Sequence, residues 1–87
     1  MDQTNRGRVV VVTGASSGVG RACARAFGAQ GARVGLIARN EAALDATGDE
    51  IRRAGGEALA CPLDVADADA VEAAAARVEA AWGRIDV

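Results

Sequence analysis

The 87-residue sequence predicts an α/β fold in three layers, with helices on both faces of a parallel β-sheet. Short runs of apolar and β-branched residues alternate along the chain with segments whose apolar residues recur at helical spacing. Glycines stand at most of the junctions, where the backbone must turn between a strand and a helix. Alternation of this kind produces right-handed βαβ units, whose consecutive strands pair in parallel.

The first strand and the first helix meet at a glycine-rich turn. Four consecutive valines at residues 9–12 predict a strand buried on both faces. A helix is expected over residues 18–30, and Gly31 is expected to cap its carboxyl end. Helical spacing predicts an inward face made of Val19, Cys23, Ala26 and Phe27.

The second strand is expected over residues 33–38, followed by a helix that runs to about Ala54. Asn40 can cap the amino end of this helix, and Glu41 in its first turn suits the helix dipole. Leu44 and Ile51 are predicted to face the core. Two glycines at 55–56 end the helix.

The last elements are a third strand over residues 57–63 and an alanine-rich helix. Pro62 is tolerated only near a sheet edge or a strand end. The helix is expected to start at Asp67 or Asp69, since Asp69 and Glu72 have the spacing of a capping box. Its predicted core stripe ends at Trp82 and consists of Val71, Ala75, Val78 and Trp82.

Gly83 is expected to end this helix, and residues 85–87 to begin a fourth strand. By analogy with doubly wound sheets, the expected strand order is 3-2-1, with the stub of strand 4 beside strand 1. Residues 1–7 are expected to form a flexible lead-in, and residues 8–87 one partial domain.

Composition narrows the classes of partner. The net charge is −2 and the ten Arg residues are scattered, so no basic surface for nucleic acid or for a membrane is predicted. The sequence shows no signal peptide and no membrane-spanning run, which favours a cytoplasmic protein.

Cys23 and Cys61 are expected to be buried structural thiols rather than a disulfide. No metal site is predicted.

The glycine turn reads T-G-x-x-x-G-x-G from Thr13 to Gly20. Unpaired amides and the dipole at the start of the following helix suit a nucleotide pyrophosphate. A P-loop would need a Lys after its second glycine, where Arg21 stands, and G-x-G-x-x-G is met only in part because Cys23 takes the last glycine's place. The alternative is a strand–helix turn that binds no ligand.

This spacing resembles the coenzyme motif of the short-chain dehydrogenase/reductase (SDR) family, in its single-domain branch. The resemblance implies a Rossmann-like fold and places the pyrophosphate and ribose against the turn. Thr13 would bind neighbouring backbone. Asp64 and Val65 resemble the Asp-Val pair of the family that contacts the adenine ring, although Asp64 could instead cap the next loop. The resemblance implies these coenzyme-binding residues in the turn: Gly14, Ser16, Ser17, Gly18, Val19 and Gly20.

The coenzyme is predicted to be NADP(H) rather than NAD. Dinucleotide-binding βαβ units that prefer NAD carry an Asp or Glu about 20 residues after the glycines, where it binds the ribose hydroxyls. That place falls here at Ala38 and Arg39, so the carboxylate is missing and a guanidinium is present. Arg39 is predicted to bind the 2′-phosphate with help from Asn40. The alternatives are a solvated Arg39, or Glu41 as a late ribose-binding acid.

The resemblance implies hydride transfer with a carbonyl or alcohol substrate, by a homo-oligomer. SDR catalysis uses a Tyr, a Lys four residues later and a Ser, but this sequence has no Tyr, Lys or His, and its only Ser residues lie in the turn. No catalytic residue is therefore predicted, and the chain is expected to be an N-terminal fragment that is inactive alone. The alternatives are a non-catalytic dinucleotide-binding module and a nonfunctional truncated remnant. The reading frame after Val87 would discriminate them.

Overall fold

The computed structural model describes residues 7–86 of the chain. Strands and helices alternate throughout, and each observed boundary lies within about a residue of its prediction. The predicted lead-in lies outside the described residues except for Gly7, whose N–H donates to the Gly31 carbonyl at 3.1 Å. The elements are β1 (Val9–Thr13), α1 (Gly18–Ala29), β2 (Arg33–Ala38), α2 (Glu41–Arg53), β3 (Glu57–Pro62) and α3 (Ala68–Trp82).

The three strands form a parallel sheet in the order β1-β2-β3, which confirms the predicted adjacency. Ile85 and Asp86 do not form a strand, and Val87 of the predicted fourth strand lies outside the described residues. Asp86 nevertheless lies beside β1. Its N–H donates to the Val9 carbonyl at 2.8 Å, and its carboxylate accepts from the Val9 N–H at 2.9 Å. The chain therefore returns from α3 to the side of β1 opposite β2.

Side chains of β2 alternate between two core clusters, one on each face of the sheet. Helices α1 and α2 cover the first face, and α3 covers the second. Five of the six residues of β2 are buried, as expected for a central strand with helices on both sides. The first cluster contains Val10, Ala15, Ala24, Ala32, Val34, Leu36, Ala38, Leu44 and Ile51. The second contains Val9, Ile37, Cys61, Ala74 and Val78.

The amino ends of α2 and α3 are capped by side chains. Asn40 accepts from the Ala43 N–H at 3.0 Å, as predicted, and Asp67 accepts from the Ala70 N–H at 3.1 Å. The start of α3 is thus fixed by Asp67 and not by the spacing of Asp69 and Glu72. Each cap satisfies an amide that the first helical turn leaves unpaired.

The predicted inward face of α1 is wrong for Val19, Cys23 and Ala26 and is confirmed for Phe27, which packs against the first core cluster. Val19 is 80% exposed, Cys23 and Ala26 are also exposed, and Phe27 is only half-buried. The buried residues of α1 are Ala24 and Gly28. A Cβ built on Gly28 would lie 2.7 Å from Ile51 Cγ2, so the Ile51 side chain of α2 packs directly on the backbone of α1 at Gly28.

The two thiols lie in different environments. Cys61 is buried, at 3% exposure, and both cysteines are free. Burial raises the pKa of the Cys61 thiol, and the charge of Arg77 partly opposes this. Cys23 is exposed, so the prediction of two buried thiols is wrong for Cys23. Of the helices within residues 7–86, none combines the length and apolar character that a membrane crossing requires.

Candidate functional site

The predicted site residues follow the carboxyl ends of the three strands. Thr13 pairs in register with Ile37, and Ala38 pairs with Pro62, so the strands end at the same edge of the sheet. The glycine turn leaves this edge from β1, Arg39 and Asn40 leave it from β2, and Asp64 and Val65 leave it from β3. This carboxyl edge is where open α/β sheets bind their ligands.

Two glycines shape the turn between β1 and α1. Gly14 has φ +66°, a left-handed conformation that L side chains rarely adopt. Gly20 sits where a Cβ would lie 2.1 Å from the Gly14 carbonyl oxygen. The helix therefore begins in direct contact with the turn that precedes it. Gly18, with φ +57°, is the first residue of α1.

Ala15 anchors the turn to two other elements. It is fully buried, its N–H donates to the Ile37 carbonyl at 3.2 Å, and its own carbonyl accepts from Thr47 Oγ1 at 3.2 Å. Sequence reasoning missed Thr47, which is a buried hydroxyl of α2. Its position three residues after Leu44 and four before Ile51 places it on the predicted inward stripe, where a polar group needs a partner.

The amino end of α1 differs from those of α2 and α3. Its N-cap residue, Ser17, is extended (φ −159°, ψ 163°), and its side chain makes no capping hydrogen bond. The first turn contains no acidic residue, whereas α2 has Glu41 and α3 has Asp69 there. Ser17 is exposed and Ser16 is half-buried. The positive end of the α1 dipole is therefore not countered by a carboxylate of its own first turn.

Arg21, just beyond this first turn, is directed to α2. Its guanidinium hydrogen-bonds the Glu50 carboxylate through Nε at 3.0 Å and through Nη2, and Arg25 Nε lies 3.3 Å from the same carboxylate. The hydrogen bond from Arg21 is the main cause that lowers the pKa of Glu50. Burial raises this pKa by less, and the neighbouring positive charges lower it further. These three residues, Arg21, Arg25 and Glu50, form the Glu50 cluster, which links α1 to α2.

The Glu50 cluster should make stability depend on pH. Because folding lowers the pKa of Glu50, its ionised carboxylate stabilises the folded state at pH values above its ordinary pKa of 4.5. This stabilisation is lost as the pH falls through the lowered pKa of the folded state. We expect the stability difference between wild type and Glu50→Gln to shrink from about pH 6 to about pH 3. Urea unfolding followed by the fluorescence of Trp82, the only tryptophan, measures this difference.

Arg21→Gln is the companion variant for this test, because it removes the main cause of the lowered pKa. It should weaken the same pH dependence while leaving the Glu50 side chain in place. If wild type and Glu50→Gln lost stability in parallel over the whole acidic range, the assignment of the pH effect to this cluster would be wrong.

Arg39 and Asn40 follow β2 at the carboxyl edge, and both are exposed. The Arg39 guanidinium has no hydrogen bond or ion pair with any residue between 7 and 86, unlike Arg21, Arg25, Arg33 and Arg52. Asn40 uses its side-chain oxygen as the α2 cap, which leaves its amide NH₂ group for a ligand. An exposed guanidinium beside an amide donor is suited to phosphate oxygens.

Asp64 and Val65 follow β3. Asp64 Oδ1 accepts from the Ala66 N–H at 2.9 Å, which is the local loop contact that the alternative reading of Asp64 predicts. Within the described residues, its second carboxylate oxygen accepts no hydrogen bond. Val65 is 55% exposed and Val19 is 80% exposed, and these are the large hydrophobic side chains that stand exposed in the described part of the chain. Both lie at the carboxyl edge, where an apolar ligand surface could cover them.

The topology is that of a Rossmann-like fold, with a parallel sheet, helices on both faces and a glycine turn after β1. The sequence profile of a family described as short chain dehydrogenase matches residues 8–87. The chain therefore belongs to the short-chain dehydrogenase family, as the glycine motif predicted.

Relatives and solved structures agree with this assignment. A short chain dehydrogenase of Pseudocercospora fijiensis is 42% identical over 82 residues, which is 94% of this chain and 26% of that protein. The structure of a metagenomic short-chain oxidoreductase in complex with NADP is 51% identical, with a TM-score of 0.88 over 94% of this chain and 37% of that one. L-sorbose reductase from Gluconobacter frateurii, complexed with NADPH and L-sorbose, is 34% identical, with a TM-score of 0.89 over 99% of this chain and 33% of that one.

The chain spans between a quarter and two-fifths of the length of these proteins. Family membership and a Rossmann-like fold are thus shown for residues that make up a minor part of each relative. The similarity covers the carboxyl edge described above, including the glycine turn and the ends of all three strands.

Proposed function

We propose that this chain is the coenzyme-binding part of an NADP(H)-dependent oxidoreductase that acts on a carbonyl or alcohol substrate. The observation that carries the proposal is the amino end of α1, which has neither a capping side chain nor an acidic first turn. Arg39, which has no partner among residues 7–86, lies on the same sheet edge. The first feature suits a pyrophosphate, and the second suits an additional phosphate.

The pyrophosphate would lie against the glycine turn. The amides at the start of α1 have no helical acceptor and can donate to phosphate oxygens. Gly18 presents no side chain between these amides and the ligand, and within residues 7–86 no atom beyond its chain neighbours and its own helix backbone lies within 4 Å of where its Cβ would be. Ser16 and Ser17 add hydroxyl donors, and Gly14 and Gly20 keep the turn compact.

The preference for NADP(H) would come from Arg39. No Asp or Glu follows β2 directly, so the ribose lacks the carboxylate that recognises its hydroxyls in NAD-binding units. The Arg39 guanidinium can bind a 2′-phosphate, and the amide of Asn40 can donate to the same group. Two structural neighbours were solved with NADP or NADPH, which supports this choice of coenzyme.

Val65 and Val19 would cover apolar parts of the coenzyme. Val65 would pack against the adenine ring, and the Asp64 oxygen that does not cap the loop would accept from the adenine amine. Val19, in the first turn of α1, would pack beside the pyrophosphate. These roles use the exposed apolar surface that otherwise faces water at this edge.

The coenzyme, when bound, supplies or accepts the hydride. Carbonyl reduction also needs a proton donor, and the sequence holds no Tyr, Lys or His for that role. Residues 8–87 would therefore bind and orient the coenzyme, whereas proton transfer would need a group that these residues do not provide. A non-catalytic dinucleotide-binding module is the second candidate, because the same lack of an acid is compatible with binding alone.

Titration calorimetry with NADPH and with NADH tests the proposal. The protein should bind both coenzymes at one site and should bind NADPH more tightly, because only NADPH carries the 2′-phosphate. Trp82 fluorescence, which reports the packing of α3 on the second core cluster, verifies that the titrated protein is folded. Folded protein that gives no heat with either coenzyme would overturn the proposal.

A further inference from the structure

We propose that Thr47 is the positioning residue of the pyrophosphate-binding turn, acting through the carbonyl of Ala15. This inference rests on the proposed coenzyme binding, and it proposes that α2 orients the turn that would bind the pyrophosphate. Thr47 is not at the carboxyl edge and touches no ligand in the proposal. Its hydroxyl instead fixes one peptide group of the turn in a single direction.

The Thr47 hydroxyl is enclosed, and its single proton is within reach of two carbonyl oxygens. The hydroxyl oxygen lies 3.2 Å from the Ala15 carbonyl oxygen and 3.0 Å from the Ala43 carbonyl oxygen, and the residue is fully buried. The Ala43 carbonyl also accepts a hydrogen bond of the α2 helix, because it stands four residues before Thr47. The Ala15 carbonyl belongs to a residue with 0% exposure, so bulk solvent does not reach it in place of the hydroxyl.

Fixing this carbonyl also fixes the next amide. All described peptide bonds are trans, so the Ser16 N–H lies in the plane of the Ala15 carbonyl and points the opposite way. With the carbonyl held toward α2, the Ser16 N–H is directed away from α2. Since the Ala15 N–H is held by Ile37, both peptide groups that flank Ala15 are fixed from outside the turn.

Loss of the Thr47 hydroxyl should change the conformation of the glycine turn more than it changes the packing of α2 on the sheet. In Thr47→Val the shape of the side chain is kept, but the buried Ala15 carbonyl is left without a donor. The peptide between Ala15 and Ser16 can then satisfy its carbonyl only by rotating or by opening the turn to water. Either change shifts the turn from which α1 starts, and with it the amides proposed to bind the pyrophosphate, whereas Leu44 and Ile51 still hold α2 on the sheet.

The test compares coenzyme affinity with stability. Thr47→Val should weaken the binding of NADPH and of NADH by the same factor, about 10-fold, because both carry the pyrophosphate. Thr47→Ser keeps the hydroxyl and should restore most of the affinity. Ile51→Val is the matched control, since it trims a buried side chain of α2 away from the turn and should lower stability without changing affinity. Calorimetry gives the affinities, and urea unfolding followed by Trp82 fluorescence gives the stabilities.

Each outcome decides between a positioning role and a purely structural one. Thr47→Val that binds both coenzymes like the wild type, or Thr47→Ser that binds no better than Thr47→Val, overturns the inference while the proposed function stands. An equal loss of affinity in Ile51→Val overturns it also. Wild-type protein that binds neither coenzyme overturns the proposed function, and this inference with it. If Thr47→Val does not fold, Thr47→Cys, with its weak S–H donor, takes its place in the comparison.

Discussion

Replacing Gly20 with alanine should destabilise the protein by about 3 kcal/mol and abolish coenzyme binding. The new Cβ would lie 2.1 Å from the Gly14 carbonyl oxygen and 2.7 Å from the Gly14 carbonyl carbon. Both are backbone atoms, so no side chain can rotate to relieve the clash. The amino end of α1 must move away from the turn, and the amides proposed to bind the pyrophosphate move with it. Urea unfolding followed by Trp82 fluorescence measures the first effect, and calorimetry with NADPH measures the second.

Gly48→Ala is the matched control for this variant. Gly48 is also helical, but the nearest atom to its added Cβ is Arg52 Nη1 at 3.3 Å, at the end of a flexible side chain. Alanine is favoured over glycine within a helix by up to about 1 kcal/mol, so this variant should be neutral or slightly more stable. Equal losses of stability in both variants would show that helix geometry, and not the contact with Gly14, explains the effect at Gly20.

The second large effect is expected at Arg39. Arg39→Ala should weaken NADPH binding about 10- to 150-fold, because a charge-assisted hydrogen bond contributes about 1.5–3 kcal/mol. NADH binding should change far less, because NADH has no 2′-phosphate to lose its partner. Calorimetry with the two coenzymes gives the ratio of their affinities, which is the quantity that identifies the role of Arg39.

Arg84→Ala removes the same charge at the opposite end of the sheet. Arg84 is exposed and follows α3, near the point where Asp86 meets the start of β1. It should leave the affinities of both coenzymes nearly unchanged, apart from the weak effect of net charge. Losses that are equal for NADPH and NADH in Arg39→Ala would remove the assignment of Arg39 to the 2′-phosphate.

The order and bounds of the elements could be predicted because local signals agree with the tertiary structure. Each strand is a short apolar run, and glycines or cap residues mark most of the helix ends. Asn40 is an example, since it was identified as a cap from its place before Glu41 and caps α2 in the structure. The carboxyl edge was also predictable, because parallel strands must end on the same side.

The inward face of α1 could not be predicted in the same way. Of the four residues predicted to face inward, only Phe27 packs against the core. The structure instead buries Ala24 and Gly28 and packs Gly20 against Gly14. These small residues recur every four positions, and they allow α1 to approach the turn and α2 closely. The distance between two packed elements depends on the tertiary structure, and the periodicity of apolar residues along one helix does not predict it.

Thr47 and Glu50 were missed for a related reason. Their partners are Ala15 and Arg21, which lie 32 and 29 positions away along the chain. Both side chains belong to α2, and their neighbours within that helix do not indicate these distant partners. A polar residue on the inward stripe of α2 is the one local sign that Thr47 needs a distant acceptor, and Glu50 shows no comparable sign.

At the carboxyl end of β2, support of the glycine turn and the exposed Arg39 guanidinium belong to different residues. Ile37 holds the glycine turn through its backbone carbonyl, which any residue at that position would supply, and Arg39 two residues later extends into solvent. Substitution at position 39 therefore need not disturb the hydrogen bond that supports the turn. If Arg39 binds the 2′-phosphate as proposed, exchange of this one exposed residue would alter coenzyme preference and leave the support of the glycine turn intact, so the preference could evolve without a change in the fold.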